Sequence, residues 1–455
     1  MLRALRTAAF QSSLRGALMR CALLALVAAA YGAAASAQIV VTVTKGLVRP
    51  VPIAIVPFGW SGSGPPAYDI AGVVAADLKS SGRFAPLPVA DMVSRPTQPD
   101  KVNFTDWRLL KVDYVVIGTL TETTPDQFTT VFQLFDVLKG EQVLGYRFTS
   151  ARVDLRPTAH KVSDMIFEKL VGIPGVFSTQ IAYVSEEKRP DGGKRFRLIV
   201  SDVDGENAKI IADSPQPLLS PSWSPDGRRL AYASFEGDLE SIFVQTLRTG
   251  TRERVSARKG VNSSPAFSSP DGRMLALTLS GDNGNLDIFS LDLATQVLRQ
   301  LTTDAAIDTE ATWSPDGRTI FFTSDRSGGP QIYKVGTEPG PRAQRVTFDS
   351  GPYNARPRLS PDGKLIAVVN GSNNTYQIGV FDAATGTPAG KFPLTNGRLD
   401  ESPSFAPNGA QIIYAARVNG RGVLASVTTD GRIQQEIASV AGDVREPVWG
   451  PYLRP

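Results

Sequence analysis

At 455 residues, 42% hydrophobic and 20% charged, the chain is long enough for two or three domains and too apolar to be disordered throughout. It carries 48 Lys and Arg against 44 Asp and Glu, and the excess of four is Arg3, Arg6, Arg15 and Arg20 at the amino terminus. Beyond residue 37 the formal charge is zero with His neutral, so no phosphate-seeking excess remains; the one cysteine, Cys21, excludes a disulfide framework.

The basic start leads into an apolar stretch from Cys21 through Leu23, Leu24, Leu26 and Val27 to Tyr31, and then into Ala35-Ser36-Ala37. This order predicts a signal peptide over residues 1–37, cut before Gln38 and directing export. The apolar run, about 15 residues, falls short of the ~20 that a membrane anchor needs. Met19 is an alternative start that leaves the mature chain unchanged. Cys21 follows Arg20 and precedes the apolar run, so it does not read as a lipoprotein acceptor.

Residues 38–50 form a separate piece. Ile39-Val-Val-Thr-Val-Thr44 has strand composition, but Lys45-Gly46 follows and the mature chain end is free. Either a fixed edge strand or a detachable, mobile arm fits.

Residues 51–175 read as a small α/β (α+β) layer domain. Pro52-Ile-Ala-Ile-Val-Pro-Phe58 is a buried strand. Asp69 caps a helix that places Ile70, Val73, Val74 and Leu78 on one face and ends near Gly82. Thr105 or Asp106 opens a short helix through Leu110. Strands follow at 114–120, 128–135 and 145–149, and a last helix opens at Pro157 and buries Val162, Ile166, Leu170 and Ile173. The boundary falls at Pro174-Gly-Val-Phe-Ser-Thr-Gln180.

From residue 181 a repeat takes over. Ser220-Pro-Ser-Trp-Ser-Pro-Asp-Gly227 returns as Ser264-Pro-Ala-Phe-Ser-Ser-Pro-Asp-Gly272, Glu310-Ala-Thr-Trp-Ser-Pro-Asp-Gly317, Arg356-Pro-Arg-Leu-Ser-Pro-Asp-Gly363 and Ser402-Pro-Ser-Phe-Ala-Pro-Asn-Gly409. The closing glycines stand 45, 45, 46 and 46 residues apart, the period of a four-stranded propeller blade. The aromatic or leucine of each copy is expected between blades, and the Pro-Asp-Gly as a tight turn. A sixth, truncated copy, Glu446-Pro-Val-Trp-Gly-Pro451, lacks later strands, whereas Ile181–Ser185 and Arg197–Asp202 are strands with no motif before them. Joining the two ends closes a six-bladed β-propeller over 181–455.

Catalytic motifs are missing from this sequence. The mature chain has one histidine, His160, in the face pattern of the last helix, where it reads as a satisfied helix residue. Gly59-Trp-Ser-Gly-Ser-Gly64 fails as a nucleophile elbow, because position 63 is Ser and Pro65-Pro66 follow; it reads as a flexible loop. Asp226, Asp271, Asp316 and Asp362 sit singly on separate blades and cannot build one multi-oxygen cage. No cofactor, metal centre or nucleic-acid partner is expected. A propeller-based hydrolase is the alternative to a binding protein.

The loops that enter the innermost strands converge on the mouth of the ring. They are Gln216-Pro217-Leu218, Asn262-Ser263, Asp308-Thr309-Glu310, Asn354-Ala355-Arg356, Asp400-Glu401 and Arg445-Glu446. Mixed charge on a rigid scaffold suits protein recognition, the bland alternative being a solvated rim.

With Pro52–Phe58, Asp69–Phe84, Phe167–Ile173, Ser214–Gly227 and Trp449–Leu453 in view, the chain resembles the TolB family of the periplasmic Tol-Pal system, over nearly all of the mature sequence. The resemblance implies a non-enzymatic adaptor between the lipoprotein Pal and the inner-membrane protein TolA, active in outer-membrane integrity and constriction during division. It implies that Pal sits over the propeller mouth, with Thr309 and Glu310 matching the family's recognition pair. The family's neighbouring histidine falls at Val261, so Asn262 and Ser264 are expected to take over that contact, with Arg356, Asp400, Glu401 and Arg445 completing the mouth. It implies that the amino-terminal segment binds TolA, which here is Gln38, Ile39, Val40, Val41, Thr42, Val43 and Thr44.

Overall fold

The computed structural model describes residues 40–43 and 49–453, apart from 238, 339–341, 349 and 438–441. The expected signal peptide, Gln38, Ile39 and Thr44 therefore lie outside the described residues. Among the described residues no helix is long and apolar enough to cross a membrane.

The first described strand, β1 (Val40–Val43), is considered with the blade it joins. The amino-terminal domain then contains β2 (Val51–Ile55), β3 (Gly59–Ser61), α1 (Ile70–Ser80), β4 (Phe84–Pro86), α2 (Phe104–Leu109), β5 (Tyr114–Thr124), β6 (Gln127–Asp136), β7 (Glu141–Ala151) and α3 (Leu155–Val171). The sheet order is β4-β2-β5-β6-β7, with β3 also on β5; the first pairings are parallel and β5, β6 and β7 are antiparallel. Successive residues of a strand face opposite ways. Ile53 and Ile55 thus enter a core under α1 and α3, while Ala54 and Val56 enter a second core with Trp107 of α2. Burial on both faces is why this strand reads as an unbroken apolar run.

Asp69 caps α1 as expected, its Oδ1 accepting from Gly72 N at 2.9 Å. Asn103, rather than Thr105 or Asp106, caps α2. Helix α3 opens two residues before Pro157 and ends on Gly172 at φ 85°, a left-handed cap that glycine accepts freely. The 59–64 segment is not a free loop: Trp60 stacks on Phe128 at 6.3 Å and its Nε1 donates to Gly64 O at 2.9 Å.

Six blades follow. The second to fourth each have four antiparallel strands, beginning at Leu218–Trp223, Asn262–Phe267 and Asp308–Trp313. The fifth has three, Tyr353–Leu359, Leu365–Ser372 and Thr375–Asp382, and its fourth is reduced to a bridge between Phe381 and Pro388. The first joins Gln180–Lys188, Lys194–Asp202 and Lys209–Ser214 to the last strand of the chain, Asp443–Trp449, so both ends of the propeller share one sheet as expected. The sixth runs Glu401–Phe405, Gln411–Val418, Arg421–Thr428 and Ile433–Ile437, and β1 adds a fifth, antiparallel strand at its edge, Val41 opposite Gln435 and Thr42 opposite Gln434.

The repeated motif does its expected work. Trp223 Nε1 donates to Val448 O at 3.3 Å and Trp313 Nε1 to Ala266 O at 3.0 Å, each across to a neighbouring blade. In the turns, Asp316 Oδ1 accepts from Arg318 N at 3.1 Å and Asp362 Oδ1 from Lys364 N at 3.1 Å, while Gly317 and Gly363 take φ of 69° and 71°. These carboxylates serve their own turns.

Candidate functional site at the propeller mouth

The innermost strands touch one another in a closed cycle around the axis, and each is broken at the same place by a β-bulge. The residue at the break is never glycine, yet every one has positive φ: Ser220 52°, Ser264 51°, Glu310 59°, Arg356 55°, Ser402 55° and Glu446 51°. Left-handed backbone costs an L-residue about 1–2 kcal/mol, so six such positions at one level of a ring are a costly arrangement. A bulge re-aims its side chain. Ser220, Ser264, Glu310, Arg356, Ser402 and Glu446 all line one small axial cavity, about 30 Å³, together with Arg358.

Arg356 occupies the centre of this ring. Its Nε donates to Glu310 Oε1 at 2.8 Å, its Nη2 to Glu446 Oε1 at 3.2 Å and its Nη1 to Ser402 Oγ. Glu310 Oε2 accepts from the Arg356 backbone N at 3.0 Å and from Thr323 Oγ1 at 3.0 Å. Burial lowers the Arg356 pKa, but Glu446, Glu310 and Glu401 outweigh it and hold the guanidinium charged. Burial and the neighbouring Arg356 push Arg358 the other way; its Nη1 donates to Pro357 O at 2.8 Å.

Three layers therefore precede each anchor. The bulge residue faces the channel. The residue before it stands at the rim in several blades, where Thr309 is half-buried, Glu401 is exposed and Arg445 pairs with Glu186 at 3.0 Å, whereas Ala355 of the fifth blade is buried. The residue before that is a buried brace. Asn262 is 0% exposed: its Oδ1 accepts from Ser256 Oγ at 2.7 Å and Arg258 N at 2.9 Å, and its Nδ2 donates to Arg258 O at 2.7 Å. Asp400, 1% exposed, accepts from Gly397 N at 3.1 Å, and Asp308 and Asn354 are buried alike.

The structure thus brings Ser264, Glu310 and Arg356 together in the channel, sets Thr309, Glu401 and Arg445 on the rim, and withholds Asn262 and Asp400 from solvent. Glu446, expected at the mouth, joins the channel ring, and so do Ser220 and Ser402, which the mouth loops did not include. Their signal was positional, since each stands immediately before the anchor proline, as Ser264 and Arg356 do. Of the amino-terminal segment, Val40–Val43 are paired along the sixth blade.

His160 lies away from the mouth. Its Nδ1 is 2.8 Å from Asp77 Oδ2, but Nε2 has no hydrogen-bond partner, so the expectation of a satisfied histidine holds on one side only. Ser163 Oγ donates to Asp77 at 2.7 Å and not to the imidazole, so this trio lacks the bond between hydroxyl and base that nucleophilic catalysis uses.

A mixed α/β domain followed by a six-bladed propeller, stoppered by an arginine and sealed by the two ends of the propeller segment, is a two-domain propeller protein. Residues 167–453 match the TolB beta propeller domain and residues 39–143 the TolB amino-terminal domain. The chain belongs to the TolB family. A Tol-Pal system protein TolB of Xanthomonas euvesicatoria pv. vesicatoria (strain 85-10) is 47% identical over 413 residues, covering 90% of this chain and 93% of its own. Its counterpart from Xanthomonas axonopodis pv. citri (strain 306) is 47% identical over the same shares. The crystal structure of TolB from Acinetobacter baumannii superposes with a TM-score of 0.81 at 40% identity, over 91% of this chain and all of that one.

Proposed function

We propose that the protein is a periplasmic adaptor of the Tol-Pal system that works by binding rather than by turnover. Pal docks over the propeller mouth, and TolA engages the segment from Gln38 to Thr44; through both the protein supports outer-membrane integrity and constriction during division. Membership of the TolB family supports the system. The observation that carries the mouth is the ring of six left-handed residues, because strain of that kind persists where a surface is built for use. The rim offers Thr309, Glu401 and Arg445 around that ring, and an edge strand such as β1 is the type of element a partner can take over.

Titration with soluble Pal tests the mouth. Thr309→Ala and Glu310→Ala are each expected to weaken binding by about 10–100-fold, roughly 1.4–2.8 kcal/mol, while Thr309→Ala leaves the melting temperature unchanged. Unchanged affinity in both variants rejects the mouth as the Pal site. Deleting residues 38–44 is expected to abolish TolA binding and to leave Pal binding measurable.

A further inference from the structure

At three junctions between blades, the aromatic of one copy of the motif is met by the residue two places after the glycine of the preceding copy. Arg229 lies over the Phe267 ring, its guanidinium carbon 5.2 Å from the centroid. Met274 packs in one cluster with Trp313, and Leu365 in one with Phe405. Between the fourth and fifth blades both partners are small. Leu359 stands where the other copies have Trp or Phe, and the residue facing it is Thr319, the shortest side chain at its position in the repeat. The missing bulk reappears as space. Thr319 and Leu359 line a cavity of about 650 Å³, with Phe321, Val335, Lys334 and Arg342 in its walls. That is the volume of a ligand pocket, whereas packing defects in a protein interior rarely exceed a water molecule.

The cavity lies at the end of the ring away from the mouth. Ser314, Pro315 and Asp316 belong to the turn that leaves the innermost strand Asp308–Trp313, and Asp362 and Gly363 to the next such turn. At the corresponding turn of the sixth blade this end already holds a domain, since Asn408 Nδ2 donates to Pro174 O at 2.9 Å.

The charges in the walls are unequally answered. Asp316 Oδ1 accepts from Ser314 Oγ and Arg318 N, and Asp362 Oδ1 from Ser360 Oγ and Lys364 N. Asp382 Oδ1 accepts from Thr385 N at 2.8 Å and Ala384 N at 3.0 Å. These bonds hold all three carboxyls below their usual range, and Arg318 and Lys364 add a neighbouring positive charge to Asp316 and Asp362. Lys334 is half-buried and Arg342 exposed, and neither has an ion pair or side-chain hydrogen bond among the described residues.

We propose that this inter-blade cavity is a docking site for a protein partner that inserts one aromatic side chain flanked by carboxylates. The aromatic takes the place that the repeat leaves empty, against Phe321, Val335 and Leu359, and the carboxylates meet Lys334 and Arg342. A buried aromatic anchor beside charge-assisted hydrogen bonds is the composition of an interface centre. The site shares no residue with the mouth or with Gln38–Thr44, so its occupant need not displace theirs.

The test titrates the whole protein calorimetrically, at low salt, with three peptides: Gly-Asp-Trp-Glu-Asp-Gly, its basic counterpart Gly-Lys-Trp-Lys-Lys-Gly, and Gly-Asp-Ala-Glu-Asp-Gly. The first is expected to bind about tenfold or more tightly than either of the others. Leu359→Trp and Thr319→Met restore the bulk found at other junctions and are each expected to lower its affinity by about tenfold or more. Arg342→Glu changes an exposed side chain, keeps the fold, and is expected to lower it by about fivefold, less at high salt. Absence of binding, indifference to the sign of the peptide or to its aromatic, or unchanged affinity in both Thr319→Met and Arg342→Glu overturns the proposal. So does a preference for phosphatidylglycerol vesicles that Leu359→Trp removes, which would make the occupant a lipid.

Discussion

Arg356 reaches from one blade to three others, and its removal tests what such a pin contributes. Arg356→Ala removes the guanidinium that bridges Glu310 and Glu446, leaving them only the neighbouring Arg358 in a cavity too small for bulk water. Breaking a buried pair in this way costs about 3–5 kcal/mol. Arg356→Lys is expected to recover only part of the loss, because one ammonium cannot reproduce a fork spread over three partners; urea melts of the two variants compare them directly. Backbone strain gives a second contrast. Ser264→Gly is expected to be tolerated, whereas Ser264→Val should cost about 1–3 kcal/mol, since a β-branched residue resists φ near 51°. A third lies at the linker, where burial pushes Asp164 up to about 6 against the hydrogen bonds it accepts from Ser178 and Phe177. A carboxyl whose folded pKa is raised binds its proton more tightly in the native state. Its contribution is therefore fully present at low pH and is lost as pH rises from about 4 to about 6. Asp164→Asn should flatten that part of the stability profile, read from melts across the range.

At the scale of the element, the sequence is most legible where a pattern repeats and least where two distant segments meet. Spaced glycines and a truncated last copy are enough to count six blades and to locate the seam, because turn chemistry is local. The bulges are harder to see. Ser220 and Ser402 look like ordinary residues before proline, a position that usually favours extended backbone, and only the strand geometry turns them inward. Asn262 and Asp400 read as mouth contacts because their chemistry is polar, yet that polarity is spent holding their own loops closed. β3 and β4 are three residues each and paired in parallel to strands far along the chain, which leaves no periodicity to read. The contact at His160 is invisible for the same reason: Asp77 lies 83 positions away. The arm is legible in composition but not in its seat. Its register predicts that Thr42→Pro removes a backbone donor from β1 and weakens its pairing with Gln434. Faster amide exchange along Ile433–Ile437 is the expected outcome.

For the whole molecule, the first blade decides whether there is a ring at all. Its innermost strand comes from the end of the chain, and Trp449 Nε1 donates to Thr179 Oγ1 at 2.8 Å, a contact between positions 270 apart. Removing residues 443–455 should expose the edge of Gln180–Lys188 along its length and replace a cooperative melt by aggregation on heating. Such distant pairing also makes folding slow, since a large loop must close before the contact forms. A chain that emerges amino terminus first meets this strand last, so the first blade lacks its innermost strand until the end has arrived. A product cut short before Asp443–Trp449 is therefore expected to offer proteases an open sheet edge. The molecule proofreads its own length.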